Sequence, residues 1–119
     1  MYDVFISLSN KTTGTITKAT RITDGTLVEN SVYKIGNTVF ASARVHSMTA
    51  VSTTGSVFQV PEGFRPPGNR FVTGYFWLVS GNSMVPTMFT VRSNGMVDMN
   101  YSSNQTTTQV AFSGSWSVI

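Results

Sequence analysis

The sequence predicts an all-β fold, an antiparallel β-sandwich or a barrel-like domain. Two observations carry this expectation. No apolar period of helical type persists for three turns anywhere along the chain. Short alternating runs of Val, Thr, Ile, Phe and Tyr recur instead, parted by clusters of Gly, Asn and Ser. At 119 residues the chain has one domain's length and can bury a real core.

The first strands are expected at residues 2–8 and 14–20. Residues 27–35 and 38–47 form the next two, joined by a tight turn in which Gly36-Asn37 supplies positive φ. Within 38–47 the alternation is clear. Val39, Ala41, Ala43 and Val45 face the core, while Phe40, Ser42, Arg44 and His46 face away.

A strand at 56–60 ends at Pro61, which has no amide hydrogen to give a ladder. After it Gly63 permits a sharp reversal, Phe64 folds inward as a plug, and Pro66-Pro67 stiffens the exit. The segment reads as a rigid corner crossing between sheets, with Glu62 and Arg65 forming an ion pair that holds it closed.

The strand at 70–80 is unusual because both of its faces are apolar. Phe71, Tyr75, Trp77 and Val79 lie on one side, and Val72, Phe76 and Leu78 on the other. Two readings are open: a central strand covered by a loop or the N-terminal segment, or a subunit interface.

Strands at 84–92 and 96–101 form a hairpin for which two turn registers compete. A two-residue Asn94-Gly95 turn pairs Val91 with Asp98 and mixes polar with apolar residues on both faces. A three-residue loop, Ser93-Asn94-Gly95, places Gly95 in the left-handed conformation as a bulge. It pairs Val91 with Val97 and Phe89 with Met99, leaving Arg92, Met96, Thr90 and Asp98 opposite. One residue of slip exchanges the faces, so the apolar pattern selects the three-residue loop. A last strand is expected at 108–118.

Composition narrows the function. Charged residues make up only 11% of the chain, against about 25% in a typical soluble domain. Ser, Thr and Asn replace them, which suits a secreted or particle-bound surface, sugar ligands and oligomer contacts. Eight Lys and Arg against five Asp and Glu give a net charge of +3. The basic residues are scattered, so no nucleic-acid partner is expected. A mildly positive surface still favours an anionic polymer such as a phosphate-bearing glycan.

The absence of cysteine removes disulfides and thiolate metal sites. No apolar run approaches the roughly 18 residues of a membrane span, so membrane insertion is not expected. The N-terminal MYDVFISLSNK has no basic start followed by an apolar core, unlike a signal peptide. His46 is the single histidine, no GxSxG nucleophile setting occurs, and the acids Asp3, Asp24, Glu29, Glu62 and Asp98 are scattered. No enzyme activity, metal or cofactor is expected.

The corner VPEGFRP, Val60 to Pro66, resembles a recurring motif in head domains of phage tail receptor-binding and baseplate proteins. These belong to phages and prophages of Gram-positive bacteria, the lactococcal siphophages among them. The resemblance extends to YKIGNTV (Tyr33 to Val39), to FTVRSNGMV (Phe89 to Val97) and to the closing strand with Trp116, Val118 and Ile119. It covers residues 27–119 and so implies a head domain there, with residues 1–26 a stem, a linker or extra strands. It further implies a homotrimer on the virion, at the phage tail tip, in contact with other tail and baseplate proteins. There it would bind saccharide or phosphate-bearing polymer of the host cell wall. A structural baseplate or tail-fibre module without glycan binding, and a non-phage carbohydrate-binding adhesin, are the alternatives.

Sugars are held by aromatic faces on their C–H patches and by planar polar groups on adjacent hydroxyls. Trp77 and Tyr75 supply the first; Arg44, His46, Asp98, Arg92 and Asn100 supply the second. The expected saccharide site is Trp77, Arg44, His46 and Asp98. Each also has an ordinary reading: Trp77 as core or interface, His46 as a solvated strand end, and Arg44 paired with Asp98 across a sheet face.

Overall fold

The computed structural model describes residues 11–101 and 105–119. The strand expected at 2–8 lies outside them. The chain runs β1 (Lys11–Thr15), β2 (Thr17–Lys18), β3 (Thr26–Ile35), β4 (Thr38–His46), β5 (Val51–Ser52), β6 (Thr54–Gln59), β7 (Arg70–Leu78), β8 (Ser83–Val91), β9 (Met96–Asn100) and β10 (Thr106–Ser117). Among the described residues there is no helix.

Every pairing is antiparallel, and the ten strands form one sheet in the order β1-β3-β4-β10-β7-β8-β9-β6-β2, with β5 added on β10. The ends of this sheet are consecutive in the chain. Thr15 of β1 pairs with Ser31 of β3, while Thr17 and Lys18 of β2 pair with Gln59 and Phe58 of β6. At the crossing, the Ile16 amide donates to the Asn30 carbonyl at 2.9 Å and its side chain is fully buried. One extended segment therefore nearly closes the sheet into a barrel, which removes most of the open-edge problem. The strand expected at 14–20 is thus divided at Ile16, and Ala19 and Ile22 beyond it are also buried.

The barrel interior holds the inward residues of each alternation. Val39, Ala41, Ala43 and Val45 are buried, as are Val72 and Phe76 of β7 and Phe89, Val91, Val97 and Met99 of the β8–β9 hairpin. Phe112 packs between Phe58 and Phe89, with ring centroids 5.4 and 6.2 Å away. The predicted hairpin register is the observed one: Val91 pairs with Val97, Phe89 with Met99, and Gly95 has φ +90°. The Gly36-Asn37 turn likewise joins Ile35 to Thr38, with Gly36 at φ +59°.

The corner spans one end of the barrel rather than linking two sheets. Phe64 is buried, and its carbonyl accepts from the Trp116 indole Nε1 at 2.7 Å. The Gly63 carbonyl accepts from Lys34 Nζ at 2.9 Å. The expected Glu62–Arg65 ion pair does not form. Arg65 Nε donates instead to the Val60 carbonyl at 2.9 Å, and Glu62 is exposed. A carbonyl freed by the end of a ladder needs a donor more than an exposed carboxylate needs a cation.

Candidate functional site

From Ala111 onward, the outward face of β10 carries only short side chains. Its neighbours are fixed by register: Ala111 lies between Arg44 of β4 and Tyr75 of β7, and Ser113 between Ser42 and Thr73. Short residues flanked by longer ones leave a depression of about 360 Å³, lined by Glu29, Ser42, Arg44, Tyr75, Ala111 and Ser113 among others. Glu29 enters because it is the register partner of Arg44 across β3 and β4.

Among the described residues neither Glu29 nor Arg44 enters a salt bridge. Among the described residues, the charged groups of the depression are therefore without an ion-pair partner. A planar guanidinium can take a phosphate or a pair of hydroxyls in its fork. The carboxylate accepts hydroxyl protons, the serines both donate and accept, and half-buried Tyr75 offers a ring face. This is a donor and acceptor set for binding polyhydroxylated or phosphate-bearing ligands.

Three of the four residues expected in the saccharide site lie on the outward faces of β4 and β7, the two strands that flank β10. Arg44 lines the depression itself. His46 follows it by two residues on the same outward face, with Nδ1 2.9 Å from Ser47 Oγ. Trp77 stands two residues beyond Tyr75, partly buried, with Met84 as its register partner on β8.

Asp98 is not brought to them. It is 7% exposed on β9, where Arg92 Nε approaches Oδ2 at 2.7 Å and Ser56 Oγ donates to Oδ1 at 2.6 Å. Its row crosses β8 at Thr90 and reaches β7 at Phe71. That is six residues from Trp77, or about 20 Å along the strand. The alternative Arg44–Asp98 pair does not form either, since Asp98 is taken by Arg92. Nearby Arg21 donates through Nε and Nη2 to the Ser56 and Ser52 carbonyls. Burial lowers its pKa and the Asp98 charge raises it. This cluster braces the β6 bulge between Ser56 and Phe58.

Glu29 is the residue the sequence reading passed over. Its signal was present: a two-residue turn at Gly36-Asn37, extended back along both strands, sets residue 29 opposite residue 44. Ser113 and Ala111 carried no such signal, because β10 meets β4 and β7 only through long-range pairing.

Beside the depression, the outward face of the β7–β8 pair is apolar and open. Phe71 is 68% exposed and Met88 53%, with Val79 and Met84 also exposed. Of the two readings of the doubly apolar strand, cover by a described loop is excluded at these positions.

No protein-family model matches the chain, and no curated protein matches it. Among solved structures it is similar to the receptor binding protein (gp15) of Listeria phage PSA. The TM-score is 0.56, over 94% of this chain and 70% of that one, at 15% sequence identity. At that identity the likeness is one of fold. The chain has the all-β fold of a phage receptor-binding protein; the likeness supports that fold and not the lactococcal type in particular.

Proposed function

We propose that this chain is the receptor-binding head of a phage tail, attaching the virion to saccharide or phosphate-bearing glycan on the host surface. The fold likeness to a phage receptor-binding protein carries the reading. Arg44, Glu29 and Tyr75, gathered in one depression, support a glycan as the receptor. In this reading the domain works outside the cell at the tail tip, held by other tail or baseplate proteins, and binds without chemistry. Single-site affinity is weak, because sugars offer little apolar area and their hydroxyls must give up water. Several heads on one tail then raise it through effective concentration.

Sedimentation of the protein with purified Gram-positive cell walls tests this. Arg44→Ala and Tyr75→Ala are expected to weaken wall binding while leaving the melting curve near that of the parent. His46→Ala and Trp77→Ala, at the end of the depression, are expected to have smaller effects. Asp98→Ala is expected to lower stability instead, by removing the partner of Arg92 and Ser56. No binding to any wall would make the domain a structural module of the tail.

The assembly is proposed to be a homotrimer in which the exposed outward face of β8, with Val79 just past the end of β7, packs against neighbouring copies. Val79, Met84 and Met88 give it the apolar character of an interface core rather than of a monomer's surface. Light scattering at micromolar concentration is expected to show three copies, and Met88→Lys to reduce the mass. A monomeric parent would overturn the assembly.

A further inference from the structure

The depression is one section of a longer trench, and its shape restricts the ligand further than its chemistry does. On the outward face of β10 the residues Ala111, Ser113 and Ser115 form a continuous floor with nothing longer than a hydroxymethyl group. Ser115 is the register partner of Phe40, just as Ala111 is of Arg44. On the other flank, Phe71 stands two residues before Thr73 on the same outward face of β7. The two strands stay close there, since a Cβ added at Gly114 would lie 2.5 Å from Val72 Cγ1. The floor therefore continues from the Arg44–Tyr75 pair to an end flanked by two phenylalanines.

Phe40 is held as a wall rather than left loose. It is 37% exposed, and its ring stacks on Tyr33 with centroids 5.2 Å apart and planes 23° from parallel. Lys11 Nζ lies 4.6 Å from the centre of the Tyr33 ring. Tyr33 on β3 supports one face of Phe40, so the other is turned toward β10. The walls are two inter-strand spacings apart, about 10 Å, and from Phe40 to Arg44 the trench runs about 13 Å.

We infer that the site takes a linear saccharide polymer along β10, with a second, apolar subsite between Phe40 and Phe71. This rests on the proposed glycan-binding function and specifies the ligand: roughly three sugar units laid end to end, rather than one terminal sugar. The charged subsite at Arg44 and Glu29 holds hydroxyls or phosphate. The Phe40 subsite, a ring face over a serine floor, holds the C–H face of a unit further along. Such a face removes on the order of 50 Å² of apolar surface from water, which corresponds to about a tenfold change in affinity.

The test is an array of linear oligosaccharide ladders and poly(glycerol phosphate), each from one to six units, probed with the parent, Phe40→Ser, Phe71→Ser and Arg44→Ala. Melting curves and light scattering confirm that each variant is folded and assembled as the parent is. Affinity is expected to rise up to about three units and then level. Phe40→Ser and Phe71→Ser should each lose about tenfold on fragments of three units or more and nothing on single units. Arg44→Ala should weaken all lengths. Equal affinity for one unit and six, or long fragments indifferent to both phenylalanine variants, would overturn the trench while leaving a glycan-binding head in place. No binding to any ladder, with walls unbound as well, would overturn both.

Discussion

Phe64→Ala is expected to lower the stability of this domain by roughly 3–5 kcal/mol, the range for deleting a buried aromatic ring. The ring is 6% exposed at the end of the barrel. It fits there because Gly14 of β1 leaves room, since a Cβ at that glycine would lie 2.8 Å from Phe64 Cε2. The surroundings cannot close over the gap. Trp116 holds the Phe64 carbonyl, Lys34 the Gly63 carbonyl and Arg65 the Val60 carbonyl, so three side chains fix the corner backbone. A held backbone keeps the cavity, and the cavity adds to the lost burial. Urea unfolding of the variant beside the parent measures the difference. A change within about 0.5 kcal/mol, the range of surface substitutions, would mean that the corner is a contact surface and not a plug.

Gly95→Val is expected to cost about 2 kcal/mol or more, from two separate sources. The first is backbone conformation: Gly95 has φ +90° in the Ser93-Asn94-Gly95 loop, and a residue with a Cβ loses roughly 1–2 kcal/mol there. The second is space. A Cβ at this position would fall on the Val60 carbonyl oxygen and on Arg65 Nε. The loop is docked on the corner, with the Val60 amide donating to the Gly95 carbonyl at 2.7 Å. Gly95→Asn separates the two, since asparagine tolerates the left-handed region better than other side chains but still carries a Cβ. It is expected to remain destabilised. If it melts like the parent, the contact with the Val60 carbonyl imposes nothing. If valine does so too, the loop conformation itself is mistaken.

Both results bear on the site, because corner and hairpin fix where β7 begins and β8 ends. The Phe64 plug joins β10, through Trp116, to the segment that leads into β7. Those two strands make the floor and one wall of the depression. Loosening the barrel end is therefore expected to weaken ligand binding indirectly, which is why binding by any variant is compared only after its melting curve.

The sequence by itself determined what local register and alternation can decide. The faces of β4 follow from strict alternation, and the β8–β9 register from the single pairing that keeps Val91, Val97, Phe89 and Met99 on one side. The Gly36-Asn37 turn fixes β3 against β4, and so places Glu29 opposite Arg44. Phe64 was legible as a plug because prolines and a glycine leave that segment few other shapes. In each case the partners are joined by a short connection, so turn geometry and one buried face leave a single arrangement. Only the tertiary structure decided that β10, the last strand, lies between β4 and β7, that Ile16 carries the chain from one end of the sheet to the other, and that Asp98 is far from Arg44. Those neighbours are separated by tens of residues, and no period in the sequence records them. They are set when the closed sheet buries all its inward faces together, and the small residues of β10 become the floor of a site only then.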